Sequence, residues 1–306
     1  MRLNKFYLAA FLAFFIWGFF SLALKPIYNY ASLDILFYRV FFSVVLMLFV
    51  NILFRREVIR KDWELYKNMD LMQKKQTALL TFSGAFFLML NWFIFIYVMN
   101  HVSLKSASIA YLICPILTTV LAFFILKEKL SKPQWIAVLI SVFACFLLSL
   151  NHIRDIFYSL IVAITYALFL ISQRNNNKLD KFLTLNLQLL FTAVLLLPFY
   201  PKYSGAIPVE PLFYICLGFI VVFFTIIPLF LNLYALKGIN SSTVGIMMYI
   251  NPIINFFLAI FLYKEQVTWL QIISYFLILI SIVIFNEKII FSKKNKLVGL
   301  KTIVSK

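Results

Sequence analysis

Acidic residues are scarce: 11 Asp and Glu stand against 28 Lys and Arg in 306 residues, for a net charge of +17. None of the acids occupies the middle of an apolar run, and Asp34, Glu128, Glu210 and Glu265 stand near run ends. Histidine is limited to His101 and His152, also beside run ends. Membrane proton relays use buried Asp, Glu or His, so strong proton coupling is not expected. Three cysteines, Cys114, Cys145 and Cys216, lie inside apolar runs without ligand spacing, which argues against a disulfide framework and a metal site. There is no His-Glu-x-x-His, no Gly-x-Ser-x-Gly and no phosphate loop, so no enzyme, cofactor or metal is expected.

Charge of either sign is also low, at 13% of residues, whereas 64% are hydrophobic and the mean hydropathy is +0.97. A soluble chain of this length could not cover so much apolar surface, which makes the bilayer its solvent. The excess of cations would suggest nucleic acid in a soluble protein. Here it follows the flanks of the apolar runs, so lipid is the expected partner and nucleic acid is not.

A spanning helix needs about 20 apolar residues. Ten segments qualify: 6–24, 33–54, 77–99, 106–126, 134–152, 156–173, 182–200, 211–234, 243–262 and 269–286. Arg2, Lys5 and the run ending at Ser21-Leu22-Ala23 resemble a signal peptide, but the run is long enough to span and is read as retained. With the N-terminus inside, inner segments hold 22 Lys and Arg and outer segments 5 (Lys25, Lys105, Arg154, Lys202, Lys264), with Arg39 inside a span. That bias places both termini in the cytoplasm. The expected fold is all-α and integral to the membrane. The segment 55–76 carries Ile59, Trp63, Tyr66 and Met69 at helical spacing among cations, giving either an interfacial helix on anionic lipid or a solvated loop. A basic tail occupies 287–306.

The chain repeats itself. Tyr97, Pro115, Lys127 and Glu128 recur 137 positions later, without a gap, as Tyr234, Pro252, Lys264 and Glu265. At an offset of 149, Trp17 meets Tyr166 and Arg39 meets Gln188. Two units, 1–152 and 153–286, would each hold five spans. An odd number per unit inverts the second relative to the first, the arrangement of many secondary transporters.

Arg39 is the cation within a span, about 9 Å of helix rise from its outer end. A charge there faces a cavity or a partner, either anchoring an anionic group in a bidentate grip or snorkelling outward. Asn91, Trp92, Tyr97, Tyr111, Asn232, Tyr249 and Asn251 cluster in the repeated helices. The amides either line a polar lumen or bond between helices. Pro115 and Pro252 each free a carbonyl one turn earlier, through a cavity-lining break or a packing kink. The two Lys-Glu pairs are gates or ordinary helix-end charges.

Phe15-Ile16-Trp17-Gly18, Tyr38-Arg39-Val40, Asn91-Trp92-Phe93, Tyr111-Leu112-Ile113-Cys114-Pro115 and Lys127-Glu128-Lys129 before Gln134-Trp135 resemble the EamA family of the drug/metabolite transporter superfamily, in its RarD-like branch. The likeness covers nearly the whole chain. It implies a bacterial inner-membrane protein of ten helices in two EamA repeats around a central substrate cavity. Members of that family move amino acids and other small metabolites. The expected function is an alternating-access permease for small polar or zwitterionic metabolites, as monomer or homodimer. Arg39 would hold the substrate's anionic group, Trp17, Trp92, Tyr111 and Tyr249 would shape the apolar wall, Asn91, Gln188, Asn232 and Asn251 would supply polar contacts, and Tyr97 would join the substrate-binding set. The fifth and tenth spans would lie at the periphery or form a dimer contact. The alternatives are a RarD-type carrier of chloramphenicol-like drugs, a lipid flippase, and a channel or scaffold.

Overall fold

The computed structural model describes residues 5–101, 104–149, 153–264 and 266–287, with side chains for all of these except 99, 100, 104–108 and 153–156. Arg2, His152, Glu265 and the tail 288–306 lie outside the described residues. Among the described residues every regular element is a helix. The first run forms α1 (Lys5–Gly18) and α2 (Phe20–Leu24); then come α3 (Ser32–Phe54), α4 (Arg56–Asn68), α5 (Leu71–His101), α6 (Leu104–Ile125), α7 (Lys132–Ser149), α8 (Ile153–Asn175) and α9 (Lys181–Leu196). A short α10 (Tyr200–Tyr203) precedes α11 (Pro211–Phe219), which passes through a π-helical turn, Ile220–Ile226, into α12 (Ile227–Gly238). The chain ends in α13 (Ser241–Met247), α14 (Ile250–Phe261) and α15 (Trp269–Phe285).

Among the described residues, seven helical runs are long and apolar enough to cross a membrane, namely Ser32–Phe54, Leu71–Val98, Lys132–Ser149, Phe157–Asn175, Lys181–Tyr203, Pro211–Gly238 and Ser241–Phe261. The pair formed by α1 and Phe20–Ile27, bent by 42°, makes an eighth if taken as one span. Two shorter apolar helices cover Ile109–Ile125 and Trp269–Phe285. Some of the helices start where a polar side chain takes up free N–H groups. Asp70 Oδ1 accepts from Gln73 N at 2.6 Å to start α5, and Thr268 with Gln271 forms a capping box at α15. The cap at Asp70 corrects one boundary: residues 71–76, read as part of the loop, belong to α5.

The segment at 56–68 is helical as its spacing suggests, but its apolar face has Asp62 at its centre. Asp62 is buried and its Oδ2 accepts from Asp180 N at 2.8 Å, so that face turns toward the protein while Trp63 remains exposed. Asp180 in turn takes Arg55 at 3.0 Å and caps α9 through the N–H groups of Phe182 and Leu183. Burial pushes the Asp180 carboxyl up, but the Arg55 contact and the two cap bonds outweigh it and leave it below the usual range. A lowered folded value means that the ionised form favours the folded state, so this stabilisation is present above about pH 4 and is lost as pH falls through the folded value. Asp180→Asn should therefore cost about 1 kcal/mol at pH 7, because both partners keep some solvent contact. Thermal melts in detergent across an acid pH series check this: the gap to the parent chain should narrow and close as the pH falls through the lowered Asp180 value.

The helices pack chiefly in the pairs α6 with α8, α7 with α15, α5 with α8 and α1 with α12. The pair of α7 and α15 includes a bond from Ser141 Oγ to Ser281 Oγ at 2.9 Å. At the ends of α6 and α14 the backbone repeats a rare conformation. Lys127 (φ 54°) and Lys264 (φ 55°) are, among the described residues, the two non-glycine positions in the left-handed region. They are the lysines that the 137-residue repeat pairs.

Candidate substrate site

Arg39 lies on α3 with its guanidinium carbon 4.5 Å from the Trp92 ring centroid and 5.8 Å from that of Phe20. Its Nε is buried without a hydrogen-bond partner, and among the described residues no carboxylate pairs with it. Tyr111, from α6, is within electrostatic reach of it and stacks edge-on against Phe95 at 5.2 Å. The cation is thus held against aromatic faces, a contact worth about 1–2 kcal/mol when desolvated, and its hydrogen-bonding fork is left available.

Trp17 closes the other side. Its Nε1 donates to Phe224 O at 2.9 Å, inside the π-helical turn. Pro228, four residues further on, has no N–H to give that carbonyl in an α-helical register. The Phe20 and Phe224 rings meet at 5.7 Å. From Tyr111 the polar path continues to Tyr166, whose hydroxyl accepts from Asn232 Nδ2 at 2.8 Å while Asn232 Oδ1 remains unpartnered. Arg39, Trp17, Trp92, Tyr111 and Asn232 therefore belong to one contiguous region.

Other expected contacts lie elsewhere. Asn91 Nδ2 donates to Val162 O at 2.8 Å and Thr165 Oγ1 at 3.1 Å, tying α5 to α8. Gln188 Nε2 donates to Gln173 Oε1 at 2.5 Å in a buried amide cluster between α5, α8 and α9. Tyr97 is half exposed and stacks on His101 at 4.9 Å. Tyr249 is fully buried in the apolar cluster of α7 and α15. Pro115 sits within the unbroken α6, whereas Pro252 follows the break between α13 and α14, where Asn251 N takes the Met248 carbonyl at 3.1 Å.

Sequence reading missed three groups. Phe20 and Phe224 carried no polar signal. Asn255 lies one helical turn after Asn251, accepts Ser21 Oγ at 3.4 Å and donates to Asn251 Oδ1 at 2.6 Å; its spacing could have marked it. A cavity of about 300 Å³ lies away from this region, at the opposite ends of the helices, lined by Tyr7, Lys129, Gln134, Asn240, Thr243 and Asn286. Arg39 does not line it.

The model of the EamA-like transporter family matches the chain twice, over residues 4–150 and 154–286. The chain is 28% identical over 257 residues to the uncharacterized transporter YojE of Bacillus subtilis (strain 168), covering 83% of this chain and 84% of that one. It is 26% identical over 305 residues to Protein RarD of Escherichia coli (strain K12), covering 94% and 95%. An uncharacterized transporter of Vibrio cholerae is 29% identical over 291 residues, covering 91% of each chain. A solved protein crystal structure superposes with a TM-score of 0.72 over 92% of this chain and 96% of its own, at 12% identity, and so shares the fold. The chain belongs to the EamA-like transporter family, in its RarD-like branch, and is a multi-pass membrane transporter rather than an enzyme.

Proposed function

We propose that this protein is an alternating-access carrier of the bacterial inner membrane for small carboxylate-bearing metabolites, amino acids among them. The observation that carries this reading is Arg39, a cation inside a span with stacked aromatic neighbours and no anionic partner among the described residues. Leaving such a charge unpaired costs about 2.5–3.5 kcal/mol on insertion scales. A substrate carboxylate would offset that cost through two parallel bonds. Asn232, with its free Oδ1, and the hydroxyls of Tyr111 and Tyr166 would meet the substrate's donors.

The ten-span, inverted-repeat architecture is part of the proposal. It is supported by the 137-residue repeat, by the paired left-handed lysines and by the 22-to-5 distribution of cations, which favours cytoplasmic termini. The aromatic wall of Trp17, Phe20, Trp92 and Phe224 favours a second reading, a carrier for flat drug-like compounds.

Counterflow in proteoliposomes tests the first. Vesicles loaded with unlabelled amino acids should transiently accumulate a labelled one without an ion gradient. Accumulation of a chloramphenicol-like drug, and of no amino acid, would replace the first reading with the second. Currents that do not saturate would replace a carrier with a channel.

A further inference from the structure

Glu128 plays no part in the substrate region, yet it reaches across the molecule. Its carboxylate accepts from Ser241 N at 2.7 Å, Ser242 N at 3.0 Å and Ser242 Oγ at 2.6 Å, spanning 113 positions or more. These donors are the first residues of α13. A helix start presents unsatisfied N–H groups and a partial positive charge, and a carboxylate answers both. Asn240, the residue before α13, makes no capping bond of its own, so the cap comes from the end of α6. Lys127 makes this possible: its left-handed backbone turns the chain so that Glu128 N bonds back to Ala122 O at 3.2 Å and the side chain points across.

The packing differs along the span formed by α13 and α14. Six residues of α13, Ser241 to Ile246, are buried, whereas α14 buries only Pro252. Gly245 lets α13 close onto α6, since a Cβ there would come 2.9 Å from Thr118 Cβ. On the far side, α2 buries none of its residues.

We infer that Glu128 is a latch of the transport cycle: it binds the first repeat to the second on the cytoplasmic side, keeps the carrier closed to that side, and releases when the site opens inward. This rests on the carrier reading above. Glu128 is a positioning residue that sets which face the substrate region is open to.

The test measures that sidedness without substrate. In a chain with Cys114, Cys145 and Cys216 replaced by Ala, Thr118→Cys reports on the inner side and Ser21→Cys on the outer. Thr118 is fully buried and Ser21 half-buried. A membrane-impermeant maleimide is applied to each face in oriented vesicles. With Glu128→Ala, Thr118→Cys should react from the cytoplasmic face about tenfold faster, and Ser21→Cys should react more slowly from outside. Glu128→Gln, which keeps the volume and one acceptor, should fall between, and it carries the test if the alanine variant does not fold. An unchanged Thr118→Cys rate overturns the latch, and so does faster labelling at both reporters, which would mean general loosening. Labelling needs no transported solute, so a chain that shifts sidedness yet accumulates no amino acid overturns the substrate reading alone.

Discussion

Arg39→Ala should lower counterflow of carboxylate solutes at least about 100-fold while leaving the fold intact, since a bidentate charge-assisted contact in a desolvated site is worth about 3 kcal/mol. The fold survives because Arg39 contributes little to it. Its Nε has no partner, and its charge is stabilised mainly by the rings of Trp92 and Phe20. Removing the side chain gives up that contact but also removes the cost of a charge in the span, so the melting temperature should move by no more than about 2–4 °C. Arg39→Lys keeps the charge and loses the planar fork, and should retain part of the activity, down about tenfold. Uptake and melting curves of the same preparations decide the matter. Normal counterflow in Arg39→Ala would remove the anchor role, and an unfolded variant would give the residue a structural one.

Gly84→Ala should be strongly destabilising. A Cβ at Gly84 would lie 2.2 Å from Gln173 Nε2 and 2.5 Å from Gln188 Nε2. Neither amide can withdraw freely. Gln173 Nε2 donates to Leu80 O at 3.0 Å and Ser172 Oγ at 2.9 Å, and Gln173 Oε1 accepts from Gln188 and from Asn176. Displacing the pair leaves buried amide groups unbonded, at about 1–3 kcal/mol each, and adds packing strain of similar size. The expected loss is about 3–5 kcal/mol, read as a melting-temperature drop in detergent. Adding Gln188→Ala to Gly84→Ala makes room for the methyl and should recover part of the loss. A Gly84→Ala chain that melts with the parent would show that the helices can part here without cost.

The helices were legible because their cause is in the composition: long apolar runs in a lipid solvent leave the backbone little choice. The bend at Gly18 was not, since it depends on how α1 meets Ile254, which a Cβ at Gly18 would overlap at 2.6 Å. That Arg39, Trp17, Trp92 and Tyr111 gather in one candidate region was legible because a charged residue within a span has few places to go. The amides were harder. Asn91, Gln188 and Asn232 look alike in sequence, but only the packing of helices distant in the chain decides whether an amide meets a neighbour's carbonyl or stays free. Trp17 shows the same limit from the other side. Its role depends on the Phe224 carbonyl, 207 positions away in a π-helical turn and brought to it only by the fold.

The left-handed lysines have a practical consequence. A side chain in that conformation costs about 1 kcal/mol that glycine does not incur. Lys127→Gly and Lys264→Gly thus form a matched pair of stabilising changes, one before the last helix of each half. On the topology proposed above, one lysine belongs to the inner set of cations and the other to the outer, so replacing both would take one charge from each side and leave the sidedness of the distribution in place. The internal repeat thereby supplies a route to a firmer protein for solution work that leaves the orienting charge balance intact.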